Sequence, residues 1–272
     1  MSFLTELDIE INVILKSLIV VLTFFYIFPF DNSLDEEDFY LSKINTLIDG
    51  ALVSVNQGCA GTIIDREKGY VLTSWHCIGV KYVYDEKTKE MKPFILDDIS
   101  KERPYVTKTI WKDDHSIANL RYTTTVLASS RLYDLALLDI SDNNFIAPIE
   151  AKVLNTDEKV IRGETVYSVG NPINRYGSLT KGIVSAFRLE WFPTHEHEYD
   201  RVSVIQYSGG TAPGSSGGAL YNKHGNLIAT ISAVNIEANF IGLGVSYKVI
   251  NKFLIDNCFG YLVNKDLKEE CH

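Results

Sequence analysis

The 272-residue sequence predicts an all-β body, a barrel or sandwich, finished by a C-terminal helix. Three observations predict it. From residue 50 onward, β-branched and aromatic residues gather in short runs: ALVSV, GTIID, GYVLTS, KYVYD, ALLDI, ETVYSVG, GIVSAF, VSVIQY, LIATISAV and IGLGVSY. Gly, Asn and Asp punctuate these runs, so many short strands alternate with turns. Apolar residues recur at helical intervals only near the end, in YKVINKFLIDNCFGYLV.

Composition sets the function classes. With 46% apolar and 22% charged residues the chain is an ordinary globular one. Its formal net charge of −9 and lack of a basic stripe disfavour a phosphate backbone, so no nucleic-acid partner is expected. The acidic clusters at 35–38, 97–98 and 113–114 read as solvated loops. Cys59, Cys77, Cys258 and Cys271 form no CxxC pair, and His195, His197 and His115 read as loop residues, so no metal is expected. The glycines at Gly209 and Gly214 lack the Lys and Ser/Thr of a phosphate loop, and no organic cofactor is expected either.

The N-terminal part is different in kind. After a tail at 1–10, residues 11–30 (INVILKSLIVVLTFFYIFPF) are almost wholly apolar and long enough to span a bilayer, with Lys16 near one end. The acidic start and the absence of a small-residue cleavage site favour an uncleaved, single-pass signal anchor with the body on the extracytoplasmic side. A cleaved signal with secretion, or a helix packed on the body, are the alternatives. Lys16 and Lys43 give almost no charge asymmetry to orient it. Residues 31–40 read as a polar linker, and 41–272 as the folded body, with an internal boundary near 150–160.

Three segments carry chemistry. A serine hydroxyl is a poor nucleophile until an imidazole takes its proton, and that imidazole needs a buried carboxylate to orient it. VLTSWHC supplies His76, RLYDLALLDI supplies Asp134, and TAPGSSGGAL supplies Ser216. Asp139, five residues further on, is the poorer carboxylate candidate, since it does not open the DLALL run. GSSGG suits a turn that aims two backbone N–H groups at one point, and the amides of Gly214 and Ser216 are assigned as oxyanion donors.

These segments, in the order His76, Asp134, Ser216, resemble the histidine, aspartate and serine motifs of the trypsin-like, chymotrypsin-fold serine proteases. VYSVGNPINRYGSLTKGIVSA and VIQYSGGTAPGSSGGAL resemble the HtrA/Deg branch more closely. The resemblance covers about residues 50–255 and implies two six-stranded antiparallel β-barrels, the first carrying His76 and Asp134 and the second Ser216. It implies a serine endopeptidase acting on protein or peptide, with homo-oligomers among its expected states. The stretch after Ser216 is too short for the PDZ domain usual in that branch. The His76-to-Asp134 interval is long, with the excess in a charged stretch at 85–120 that reads as a surface insertion.

The resemblance also implies finer roles. A Cys59–Cys77 disulfide would close the histidine loop, while Cys258 and Cys271 could pair or lie in a frayed tail. Ser215 stands where zymogen-activated relatives keep an Asp, so activity would not await cleavage. Ser232 would lie beside Asp134, and Ser232, Ala233 and Val234 would pair with an extended substrate. Gly210 replaces an acidic pocket residue, and with Gly242, Leu243 and Gly244 it would line a pocket for an aliphatic residue before the scissile bond.

Overall fold

The computed structural model describes residues 36–267 except 57, 97, 100–102, 113–114, 141, 143–144, 146, 193–196, 198–199 and 235–240. The apolar segment at 11–30 lies outside the described residues, as do His195 and Cys271. Among the described residues, no helix is long and apolar enough to cross a membrane. The chain divides into a unit ending at Phe39 and a compact body, Tyr40–His272.

The body opens on a helix that the strand pattern did not announce, α1 (Glu36–Ala51), so residues 36–40 of the expected linker are helical. Its acidic start suits a helix N-terminus. Ile44, Leu47, Ile48 and Ala51 recur at three- and four-residue spacing and are all buried. Its C-terminal end is held from outside: the buried Lys108 side chain donates to the carbonyls of Asp49 at 2.6 Å and Leu52 at 3.0 Å.

Sixteen strands follow among the described residues. The first group is β1 (Leu52–Val55), β2 (Cys59–Asp65), β3 (Tyr70–Thr73), β4 (Val80–Asp85), β5 (Glu90–Ile95), β6 (Tyr105–Lys112), β7 (His115–Thr123), β8 (Thr125–Ser130) and β9 (Leu135–Asp139), with a one-turn helix α2 (His76–Gly79) after β3. Seven of these make one sheet in the order β7-β6-β1-β2-β3-β9-β8, while β4 and β5 pair only with each other. The residues LALL of β9 are fully buried, which explains a continuous apolar run where a half-exposed strand would alternate.

The second group is β10 (Lys152–Val153), β11 (Thr165–Gly170), β12 (Ser178–Glu190), β13 (Val202–Ser208), β14 (Ala219–Asn222), β15 (Asn226–Val234) and β16 (Ile241–Ser246). Their order is β10-β15-β14-β11-β12-β13-β16, and β16 also pairs with β15, closing a six-stranded barrel. Only β10 runs parallel to its neighbour. Helix α3 (Tyr247–Asp256) then buries Ile250, Phe253 and Leu254, and its Asn251 side chain donates to Leu154 O at 2.9 Å.

The stretch at 85–120 is therefore two things. Its first part completes the β4–β5 ribbon, whose directly paired residues Tyr82 with Pro93 and Tyr84 with Met91 share one face and stand 52–67% exposed at Tyr82, Tyr84 and Met91. Its second part builds β6 and most of β7, and β6 joins β1 in the main sheet.

Candidate active site

The site forms where the two sheets meet. His76 begins α2 immediately after β3, and Asp134 precedes β9, the neighbour of β3. Adjacent strands thus bring the two together across 58 residues of chain. Asp134 is 1% exposed and holds a positive φ of 51°, a conformation uncommon outside glycine but tolerated by Asp.

The Asp134 carboxylate is saturated with donors. Its Oδ1 accepts the His76 backbone N–H at 3.0 Å and lies 3.0 Å from His76 Nδ1, while Oδ2 lies 2.9 Å from Nδ1. Oδ2 also accepts the Ser232 hydroxyl. Because an ionised carboxylate only accepts, the Nδ1 atom carries the proton and Nε2 presents its lone pair. The His76 side chain is 28% exposed. Burial pulls its pKa down, but the Asp134 charge and hydrogen bond push it up further, leaving it above the ordinary 6.5.

Ser216 comes from the loop between β13 and β14. Its hydroxyl donates to the Ser232 carbonyl at 3.3 Å, and among the described residues it makes no hydrogen bond to the His76 ring. The loop is fastened to the first sheet: Ala60 N–H donates to Ser216 O at 2.7 Å. At Gly217, φ is 81° and an added Cβ would meet Ala60 O at 2.1 Å, so no side chain fits. At Gly214, φ is 103° and an added Cβ would meet Asn171 O at 2.3 Å.

The backbone around Gly214 is set by a neighbouring loop. Ile173 N–H donates to Pro213 O at 2.8 Å. In a trans peptide the N–H opposes the carbonyl, so the Gly214 N–H faces away from Ile173. The Gly214 and Ser216 amides donate to no acceptor among the described residues. Within the VGNP segment, Asn171 is a residue that the sequence motifs alone do not single out. Its buried side chain donates to Ser54 Oγ at 3.1 Å and accepts the Gly177 N–H at 3.2 Å, tying the loop to the first sheet. An Asn between Gly and Pro, in a loop, was the available signal.

The remaining candidates fall around this centre. Ser232, Ala233 and Val234 extend beyond the last β14 pairing at Thr230, and among the described residues Ala233 and Val234 pair with β16 alone. Gly210 is exposed in the serine loop, and Gly242 and Leu243 lie on β16 opposite Tyr207 and Gln206 of β13. Gly244 stands apart: an added Cβ there would meet Ala229 and Thr230. Cys59 and Cys77 form a disulfide with Cα atoms 6.0 Å apart. Their sulfurs lie close to His76, but the bond between them removes the thiolates a metal would need. Cys258 is disulfide-bonded as well. His115 and His197 are exposed and apart from the site.

Residues 59–229 match the trypsin-like peptidase domain family. The chain is 29% identical to the periplasmic serine endoprotease DegP of Escherichia coli (strain K12) over 186 residues, which is 68% of this chain and 32% of DegP. It is 33% identical to the serine protease Do-like HtrA of Bacillus subtilis (strain 168) over 126 residues, 45% of this chain and 27% of that one. The chain thus spans about a third of the length of these curated relatives. A solved HtrA-type protease with a tripeptide superposes with a TM-score of 0.57 at 19% identity, covering 81% of this chain and 63% of that one. Motifs, closed barrel and family match agree: the chain belongs to the trypsin-like peptidase domain family, among relatives of the HtrA type.

Proposed function

We propose that the chain is a serine endopeptidase whose nucleophile is Ser216. The observation that carries this is the buried Asp134 carboxylate gripping His76 Nδ1 from one sheet and Ser232 from the other. His76 Nε2 takes the Ser216 proton as Oγ bonds to the peptide carbonyl carbon. The resulting oxyanion lies against the Gly214 and Ser216 amides. His76 then gives the proton to the leaving amine, and water repeats the sequence on the acyl-enzyme. Ser232–Val234 supplies a strand edge for the substrate backbone.

Residues 11–30 tether the protein to a membrane, and Ser215 in place of a carboxylate leaves activity independent of N-terminal cleavage. The Ser216 hydroxyl, bonded to Ser232 O rather than to His76, favours one second reading, a module that docks peptide without turnover. Catalytic hydrogen bonds are often unformed without substrate. A fluorophosphonate probe separates the two. Labelling of folded wild-type protein, abolished in Ser216→Ala, together with casein cleavage, is expected; a folded wild-type protein that takes no label would exclude the enzyme.

A further inference from the structure

The β4–β5 ribbon leaves one apolar face and one strand edge uncovered among the described residues, and it starts beside His76. We infer that this ribbon is a docking arm for the polypeptide substrate, taking an apolar segment that lies beyond the scissile bond. The inference rests on the proteolytic reading above and adds to it what the substrate must carry on its leaving side.

The two faces of the ribbon differ in kind. The pairs Val80 with Ile95, Tyr82 with Pro93 and Tyr84 with Met91 put only apolar and aromatic side chains on one face. The other face mixes Val83 and Phe94 with charged residues, and there Lys92 pairs with Asp85 at 2.6 Å. A charged face belongs in water, whereas a contiguous exposed apolar one marks a place where something docks. Two strands alone are also marginally stable in water, and an apolar face is what a further element covers.

The edges differ as well. Leu96 N–H donates to Gly79 O at 2.9 Å, and bonded and unbonded pairs alternate along an antiparallel ladder. Tyr82 and Pro93 are therefore an unbonded pair, whose backbone groups face outward. Proline has no N–H to offer there, so the β5 edge is blunted. On β4 the N–H and C=O groups of Tyr82 and Tyr84 face outward, an edge to which an extended peptide can add.

The chemistry of the site decides which half of the substrate meets this arm. The half before the scissile bond lies along Ser232–Val234, while His76 protonates the leaving amine, so the other half departs on the His76 side. Strand β4 begins four residues after His76. Its root is fixed there: Cys77 is bonded to Cys59, Asn56 Nδ2 donates to Cys77 O at 2.9 Å, and the Trp75 ring fills the space a side chain at Gly79 would need. The six residues of β4 extend about 20 Å, so the arm suits a substrate segment of similar length.

The test uses the full chain and two peptides that are identical up to about the third residue beyond the scissile bond, then continue for about six residues rich in Val and Phe or in Ser and Asn. The expected result is a kcat/KM at least about tenfold higher for the apolar continuation, the gain that burying one aromatic side chain supplies. Combining Tyr82→Ser with Tyr84→Ser should bring that ratio close to one. Wild-type protein that takes the fluorophosphonate label but cleaves both peptides equally well overturns the inference and leaves the nucleophile standing, as does a double variant that keeps the wild-type ratio. A double variant that keeps the ratio but loses an oligomer in sedimentation assigns the face to a second copy of the chain and overturns the inference too. Failure to label folded wild-type protein overturns the proteolytic reading instead. If the double variant does not fold, Tyr84→Ser alone and the wild-type ratio still decide.

Discussion

The half of the body that carries His76 and Asp134 and the half that carries Ser216 are built differently. The first is a seven-stranded sheet with no pairing between its end strands among the described residues, and it carries the exposed β4–β5 ribbon. It buries a cation, Lys108, against the end of α1. The second closes on itself as a barrel and buries three tyrosines, Tyr167, Tyr207 and Tyr221. The His76–Asp134 pair thus sits in the more open half, and Ser216 on the closed one. Among the hydrogen bonds that cross between them are Ser232 to Asp134, Ser74 to Ile231, Ala60 to Ser216 and Asn171 to Ser54.

That comparison can be broken most severely at its junction. Ser216→Ala should lower peptide turnover by roughly a millionfold while leaving the unfolding midpoint unchanged, since it removes one hydroxyl. Casein turnover reads the first and urea denaturation the second. More than about one part in a hundred of residual activity would remove Ser216 from the chemistry.

Asp134→Asn tests the first half alone and should cost about 10⁴-fold, because the amide no longer fixes the Nδ1–H tautomer. The wild-type pH–rate profile should show an acid limb with its midpoint above 6.5, since the base must be neutral and Asp134 holds its pKa up. Stability runs the other way. A pKa raised by folding stabilises fully below the unfolded value, and that contribution fades as pH rises through the folded one. An acid limb at or below 6.5 would mean that Asp134 does not act on the ring.

The disulfide closes a loop within the first half across 18 residues. Replacing Cys59 and Cys77 by Ala together should lower stability by about 3 kcal/mol, read from the urea midpoint. Lys108→Met keeps the stem but leaves the Asp49 and Leu52 carbonyls without their donor, at a cost of about 1–3 kcal/mol. Burial already brings the Lys108 pKa down to about 8, so unfolding to an exposed lysine should take up protons between pH 8 and 10.5, a smaller signal that potentiometry can follow. The smallest effect is expected on the ribbon. Tyr82→Ser should change stability by no more than about 0.5 kcal/mol, because the side chain is 67% exposed.

Legibility in the sequence followed the range of the interactions. Strand segments were readable because β-branched runs and turn residues act locally, and α3 because its apolar residues keep helical spacing. Helix α1 was only half readable: its buried positions are spaced correctly, but DEED looks like a linker, and Lys108, almost sixty residues away, is what caps the other end. The charged stretch at 85–120 concealed β6 because its inward positions include Lys108, a residue type that pattern reading places outside.

By itself the sequence determined which chemistry the chain could perform. His76, Asp134 and Ser216 sit in motifs whose residue types and order admit few other readings, and GSSGG supplies the glycines that close backbone approaches at Gly214 and Gly217 demand. Only the tertiary structure decided how those residues are held: Asp134 reached by a hydroxyl from the opposite sheet, and Asn171 fastening the loop that orients the Gly214 peptide. These are contacts between residues far apart in the chain. Each depends on backbone geometry that a strand's own sequence does not encode, because it is fixed only when the two sheets pack against each other.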